Sequence, residues 1–120
     1  MDVAKRLLLE ARGLVERGWT QHADAHNERG EVVKSWSPDA VRWSLLGALV
    51  ASFERISSAA DDSPAIAHLA RACTGLADTV DADSLEEWND EPGRRQADVL
   101  RALDAAAGGL PDAAFVVSPN

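Results

Sequence analysis

The chain has 120 residues, of which 46% are apolar and 27% charged, and its formal net charge is −8. This length suits one domain with a buried core, and the composition is that of a folded protein, not of a disordered or membrane-spanning one. We therefore expect a single domain over residues 1–120. One cysteine, Cys73, excludes an internal disulfide, and the chain opens with no apolar leader, so the expected compartment is the cytoplasm.

The negative charge is concentrated in one segment. Between Arg71 and Arg94 there is no Lys or Arg but there are seven carboxylates, which leaves a net charge of only −1 for the rest of the chain. Nucleic acids and anionic membranes are bound through clustered cations, so neither is expected as a partner. The seven acidic residues are Asp78, Asp81, Asp83, Glu86, Glu87, Asp90 and Glu91.

Apolar residues at three-to-four spacing predict four helices. The first spans about residues 3–17 and ends at Gly18. The second begins at Ser37 and Pro38, a capping residue followed by proline, and runs to about residue 58. A third, started in the same way by Pro64, covers about residues 64–77, and a fourth covers about residues 95–107. Gly47 within the second helix indicates that a neighbouring backbone packs closely there.

A small β-hairpin is predicted after the first helix. Asn27 and Gly30 bound a tight turn, typical of a type I turn closed by a glycine bulge, and short alternating segments flank it at residues 20–26 and 31–34. Two strands alone are marginal in water, so Trp19 and Trp36 are expected to dock the hairpin onto the helices. The predicted fold is mainly α: a four-helix single domain with a small β-hairpin after the first helix.

Two histidines and a carboxylate on the hairpin form a candidate metal site. His22, Asp24 and His26 share one face of a strand, and imidazole and carboxylate groups are ligands for zinc and similar ions. A solvated hairpin face is the alternative, which we favour, because no further ligand lies near in the sequence. Cys73 is interpreted as a small core residue, and no pattern indicates catalytic residues or a cofactor.

Three motifs carry a resemblance to a known family. They are Gly18-Trp19, Gly47-Ala48-Leu49, and the run from Trp88-Asn89-Asp90 to Pro92-Gly93-Arg94. In this order they resemble a family of small uncharacterised bacterial and phage proteins, classed as a domain of unknown function. That family has Arg-Thr ahead of the last helix where this chain has Arg94-Arg95, so Asp90 or a backbone group is expected to replace the threonine cap.

Trp88 is interpreted as a structural anchor together with Asn89. A buried indole offsets the cost of ordering an acidic loop, and a short amide side chain accepts hydrogen bonds from nearby backbone. Arg94 is expected to pair with Asp90.

The exposed carboxylates are expected to form the binding surface of the protein. The favoured function is that of a non-enzymatic interaction protein, an accessory or phage-type modulator, that binds a basic protein surface. The alternative is a metal-binding or small-molecule-binding protein, and possible enzyme, using the hairpin histidines. Homodimerisation through the second helix is a further expectation.

Overall fold

The computed structural model describes residues 2–59 and 65–109. The mainly helical fold with a small antiparallel sheet after the first helix is confirmed, with one more helix and one more strand than predicted. In chain order the elements are α1 (Val3–Arg17), β1 (Ala25–His26), β2 (Val32–Val33), β3 (Arg42–Trp43), α2 (Leu45–Ala59), α3 (Ala65–Val80), α4 (Leu85–Asp90) and α5 (Gln96–Gly108).

The helix α1 lies at the centre of the core and packs against α2, α3 and α5. The Asp2 carboxylate caps it by accepting a hydrogen bond from the Lys5 backbone N–H at 3.0 Å. Its apolar face is almost completely buried, as the spacing of these residues predicted. The buried residues of this face are Ala4, Leu7, Leu8, Ala11, Leu14 and Val15.

The predicted start of the second helix is wrong. Ser37 and Pro38 belong to a turn closed by a hydrogen bond from Ala40 N–H to Ser37 O at 3.1 Å, and residues 42–43 form β3. The helix α2 begins at Leu45, where the Ser44 hydroxyl accepts from Gly47 N–H at 3.0 Å. Trp43 is only 5% exposed in its extended position, so its burial against the core overrides the local capping signal.

The sheet has the strand order β2-β1-β3, and both pairings are antiparallel. The predicted turn joins β1 to β2: the Asn27 side-chain oxygen accepts from the backbone N–H groups of Arg29 and Glu31, and Gly30 has φ +81°. Only glycine adopts that conformation without strain. Each strand has two paired residues, fewer than predicted, and the unpredicted strand β3 covers the other edge of β1.

Trp43, not Trp36, docks the sheet onto the helices. Its indole N–H donates to the carbonyl of Ser35 at 2.9 Å, while its backbone forms a bridge with Trp19. Trp36 is 52% exposed and stands under the ammonium group of Lys34. The prediction that Trp36 docks the hairpin is therefore wrong, since most of its ring surface would have to be buried for it to do so.

Close packing occurs where Gly47 predicted it. A Cβ on this residue would overlap the backbone carbonyl of Asp24, so α2 can approach the start of β1 only with glycine here. The helix α3 extends three residues beyond its predicted end, to Val80. The proposed start of that helix at Pro64 lies outside the described residues. None of the described helices is long and apolar enough to cross a membrane.

Candidate functional site

The short helix α4 is attached to the rest of the protein by the side chain of Asn89, which is fully buried. Its oxygen accepts from the Trp19 indole N–H at 2.8 Å and from the backbone N–H of Leu45 at 3.0 Å. Its nitrogen donates to the Thr20 carbonyl and to the Asp90 carboxylate, both at 3.1 Å. One amide therefore caps the first turn of α2 and joins α4 to the segment that follows α1.

Residues 21 and 22 add further bonds to α4. The Gln21 side chain donates to the Asn89 carbonyl at 2.9 Å, and His22 N–H donates to the Asp90 carboxylate at 2.8 Å. His22 has a left-handed backbone with φ +68°, which turns the chain so that this bond forms. The sequence motif around Trp88 thus acts through tertiary contacts with residues about 70 positions away.

These contacts create a groove, here called the acidic groove, with a volume of about 470 Å³. Five carboxylates lie around it, four from α4 and the turn after it and one from the segment before β1. Asp24 was not predicted to join this set, because no signal in the sequence pairs it with α4. The lining residues are His22, Ala23, Asp24, Ser44, Glu86, Glu87, Asn89, Asp90, Glu91 and Pro92.

The predicted acidic segment therefore divides into two parts. Glu86, Glu87 and Glu91 are exposed at the acidic groove, and within the described residues none of them has a salt-bridge partner. Asp90 differs, because its carboxylate accepts hydrogen bonds from His22 and Asn89. The second part comprises Asp78, Asp81 and Asp83, which are exposed at the end of α3 and in the following turn and do not line the groove.

The structure does not assemble the candidate metal ligands. The His22 side chain is 74% exposed and its Nδ1 lies 3.7 Å from an Asp90 oxygen, whereas His26 Nδ1 is hydrogen-bonded to the Thr20 hydroxyl at 2.6 Å. Only residues 25–26 form a strand here, so the shared face expected for His22, Asp24 and His26 does not exist. Across residues 2–59 and 65–109 no group of three or more His, Cys, Asp or Glu side chains is placed to hold a metal ion.

Trp88 is half-buried, and its partner is Arg94. The Arg94 guanidinium lies 3.9 Å from the centre of the indole ring, and its Nε donates to the Trp88 carbonyl at 2.8 Å. The predicted ion pair between Arg94 and Asp90 is wrong, because each of these side chains has a different partner. The shielded side of the indole packs against the core.

Asp90 does not cap the start of α5. Of the two expected replacements for the threonine, the backbone group is the one present, because the Arg95 carbonyl accepts from the Asp98 N–H at 2.9 Å. The Asp98 carboxylate in turn accepts a hydrogen bond from the Arg95 backbone N–H at 3.0 Å. That bond, with smaller contributions from the charges of Arg95 and Arg101, lowers the pKa of Asp98 below its usual value. The Cys73 thiol is half-buried, and its burial raises its pKa, which disfavours the reactive thiolate.

The described residues form a small, mainly helical domain in which α4 and the segments just before β1 and just after β3 line the acidic groove. The chain belongs to the family of unknown function DUF6197, whose model matches residues 1–108. The expectation that the chain belongs to a family of unknown function is thereby confirmed, and the matched range ends with the last residue of α5. No curated protein and no solved structure is significantly similar to the chain.

Proposed function

We propose that the chain is a non-enzymatic interaction protein that binds a basic protein surface through the acidic groove. The observation that carries this proposal is the arrangement of five carboxylates around one groove without an arginine or lysine among the lining residues. Carboxylates left without cationic partners create a negative local field, which attracts and orients a positively charged partner.

The groove is also held in shape before a partner arrives. Asn89 forms part of its lining and makes four hydrogen bonds, so the backbone that presents Glu86, Glu87 and Glu91 is already positioned. A preformed site loses less conformational entropy on binding than a mobile acidic loop does. The proposal is also supported by the neighbouring exposed carboxylates of Asp78, Asp81 and Asp83, which extend the negative surface beyond the groove.

A titration with hexalysine tests the proposal directly. The triple variant Glu86→Gln, Glu87→Gln, Glu91→Gln removes three exposed charges and leaves the hydrogen-bonded Asp90 intact. At about 0.2–1 kcal/mol for each exposed charge pair, we expect roughly tenfold weaker binding in calorimetry at low salt. Binding by the unsubstituted protein should also weaken steeply as salt is raised.

The matched control neutralises three exposed carboxylates elsewhere, in Glu28→Gln, Asp39→Asn, Glu54→Gln, with the same change in net charge. We expect the affinity of this control for hexalysine to fall by about twofold at most, because the control alters only the long-range electrostatic field. Equal losses in both triple variants would refute a specific groove, and so would hexalysine binding that does not respond to salt. A native partner should be captured from lysate by the control and not by the groove variant.

A further inference from the structure

A second groove, here called the arginine groove, has a volume of about 330 Å³ and shares no lining residue with the acidic groove. It lies where the end of α3, the short helix α4 and the first turns of α5 meet. The charge of this groove is opposite in sign to that of the surrounding acidic segment, because two of its seven lining residues are arginines. The lining residues are Thr79, Val80, Trp88, Arg94, Asp98, Arg101 and Ala102.

Arg94 is held in one orientation within this groove. The face of its guanidinium rests on the Trp88 indole, and its Nε donates to the Trp88 carbonyl. Among the described residues neither terminal nitrogen of Arg94 has a hydrogen-bond or salt-bridge partner. A half-buried arginine therefore presents an unused pair of donors in a fixed plane, the geometry that matches the two oxygens of an oxyanion.

The carboxylate in the groove does not neutralise Arg94, because it is already engaged. One Asp98 oxygen accepts from Arg101 at 2.6 Å and the other accepts from the Arg95 backbone N–H at 3.0 Å. Two guanidinium groups and one carboxylate leave a local charge of about +1, which suits a ligand group with a single negative charge. Val80, Ala102 and the exposed part of the indole supply an apolar wall beside it.

We propose that the arginine groove binds the carboxylate of a small organic acid, with Arg94 as the binding residue and the apolar wall against the body of the ligand. A planar carboxylate matches the planar guanidinium fork in both shape and charge. This inference does not rest on the proposed function, because the two grooves have no residue in common.

NMR titration of the full chain with sodium benzoate tests the inference, at constant ionic strength maintained with chloride. The reporter is the Trp88 indole N–H signal, identified by its loss in Trp88→Phe. We expect a saturable shift of this signal, with acetate binding about tenfold more weakly because it leaves the apolar wall uncovered. Arg94→Lys keeps the charge but removes the fork and should weaken benzoate binding about tenfold.

The control is Arg95→Gln, which removes a neighbouring exposed charge that does not line the groove and should change affinity by about twofold at most. The unsubstituted protein alone is a sufficient test: no saturable shift of the Trp88 signal overturns the proposal. Inorganic phosphate binding more tightly than benzoate overturns the carboxylate assignment. Equal weakening by Arg94→Lys and Arg95→Gln overturns the role of Arg94 and leaves only nonspecific charge attraction.

Discussion

Replacing Asn89 by alanine should cost more stability than any other single polar substitution near the acidic groove. The change removes four hydrogen bonds and leaves the Leu45 backbone N–H buried without an acceptor. An orphaned buried donor costs about 1–3 kcal/mol, and the lost bonds to the Trp19 indole and the Thr20 carbonyl add about 1 kcal/mol together. The expected loss is about 3 kcal/mol, a large part of the roughly 5–15 kcal/mol that stabilises a typical domain.

Urea denaturation followed by circular dichroism measures this loss. The matched control is Asn27→Ala, which also removes an amide with several hydrogen bonds, but at an exposed turn where water replaces them. We expect the control to cost about 1 kcal/mol or less. A loss below about 1 kcal/mol for Asn89→Ala would show that α4 does not depend on this amide, and the account of a preformed groove would then be wrong.

Three further predictions concern packing and pH. Gly47→Ala should destabilise the protein, because the new methyl group meets the Asp24 carbonyl. Gly75→Ala has open space around the new methyl group and should stabilise α3 by about 0.5–1 kcal/mol, so the melting temperatures of the two variants should shift in opposite directions. Trp88→Ala should lower the free energy of unfolding by about 2 kcal/mol, because a half-buried indole and its cation–π contact with Arg94 are lost. Urea denaturation measures this change, and an unchanged midpoint would contradict the interpretation of Trp88 as a structural anchor. Folding lowers the pKa of Asp98 because its carboxylate accepts from the Arg95 backbone N–H, so this group stabilises the protein above its usual pKa and stops doing so as pH falls through the lowered pKa. In Asp98→Asn the melting temperature should therefore depend less on pH in the acidic range than in the unsubstituted protein, and an identical pH profile would contradict this.

Local patterns determined the elements that are governed by local forces. The spacing of apolar residues located α1 and α5 to within a residue or two, because a helix that buries one face needs that period whatever its neighbours are. Asn27 and Gly30 located the turn between β1 and β2 for the same reason: its backbone geometry is set within four residues. The glycine at 47 indicated a close approach without identifying its partner.

The start of α2 shows why other parts could not be predicted in this way. Ser37 and Pro38 have the residue types of a helix start, yet they form a turn and residues 42–43 form β3, because Trp43 is buried and its backbone pairs with β1. The energy of that burial exceeds the small local preference, so tertiary contacts decide the boundary. Asn89 then supplies part of the cap from a distant segment, which no window of sequence around α2 reveals.

The sequence by itself therefore determined the helical class, the hairpin turn, the family and the concentration of negative charge between Arg71 and Arg94. The tertiary structure decided which of those carboxylates share a groove, which one is used for hydrogen bonding, and that Arg94 stacks on Trp88 instead of pairing with Asp90. The physical reason is the range of the forces. Periodicity and turn geometry act over a few residues, whereas the partners of a buried or charged side chain depend on which distant segments the packing of the core brings beside it.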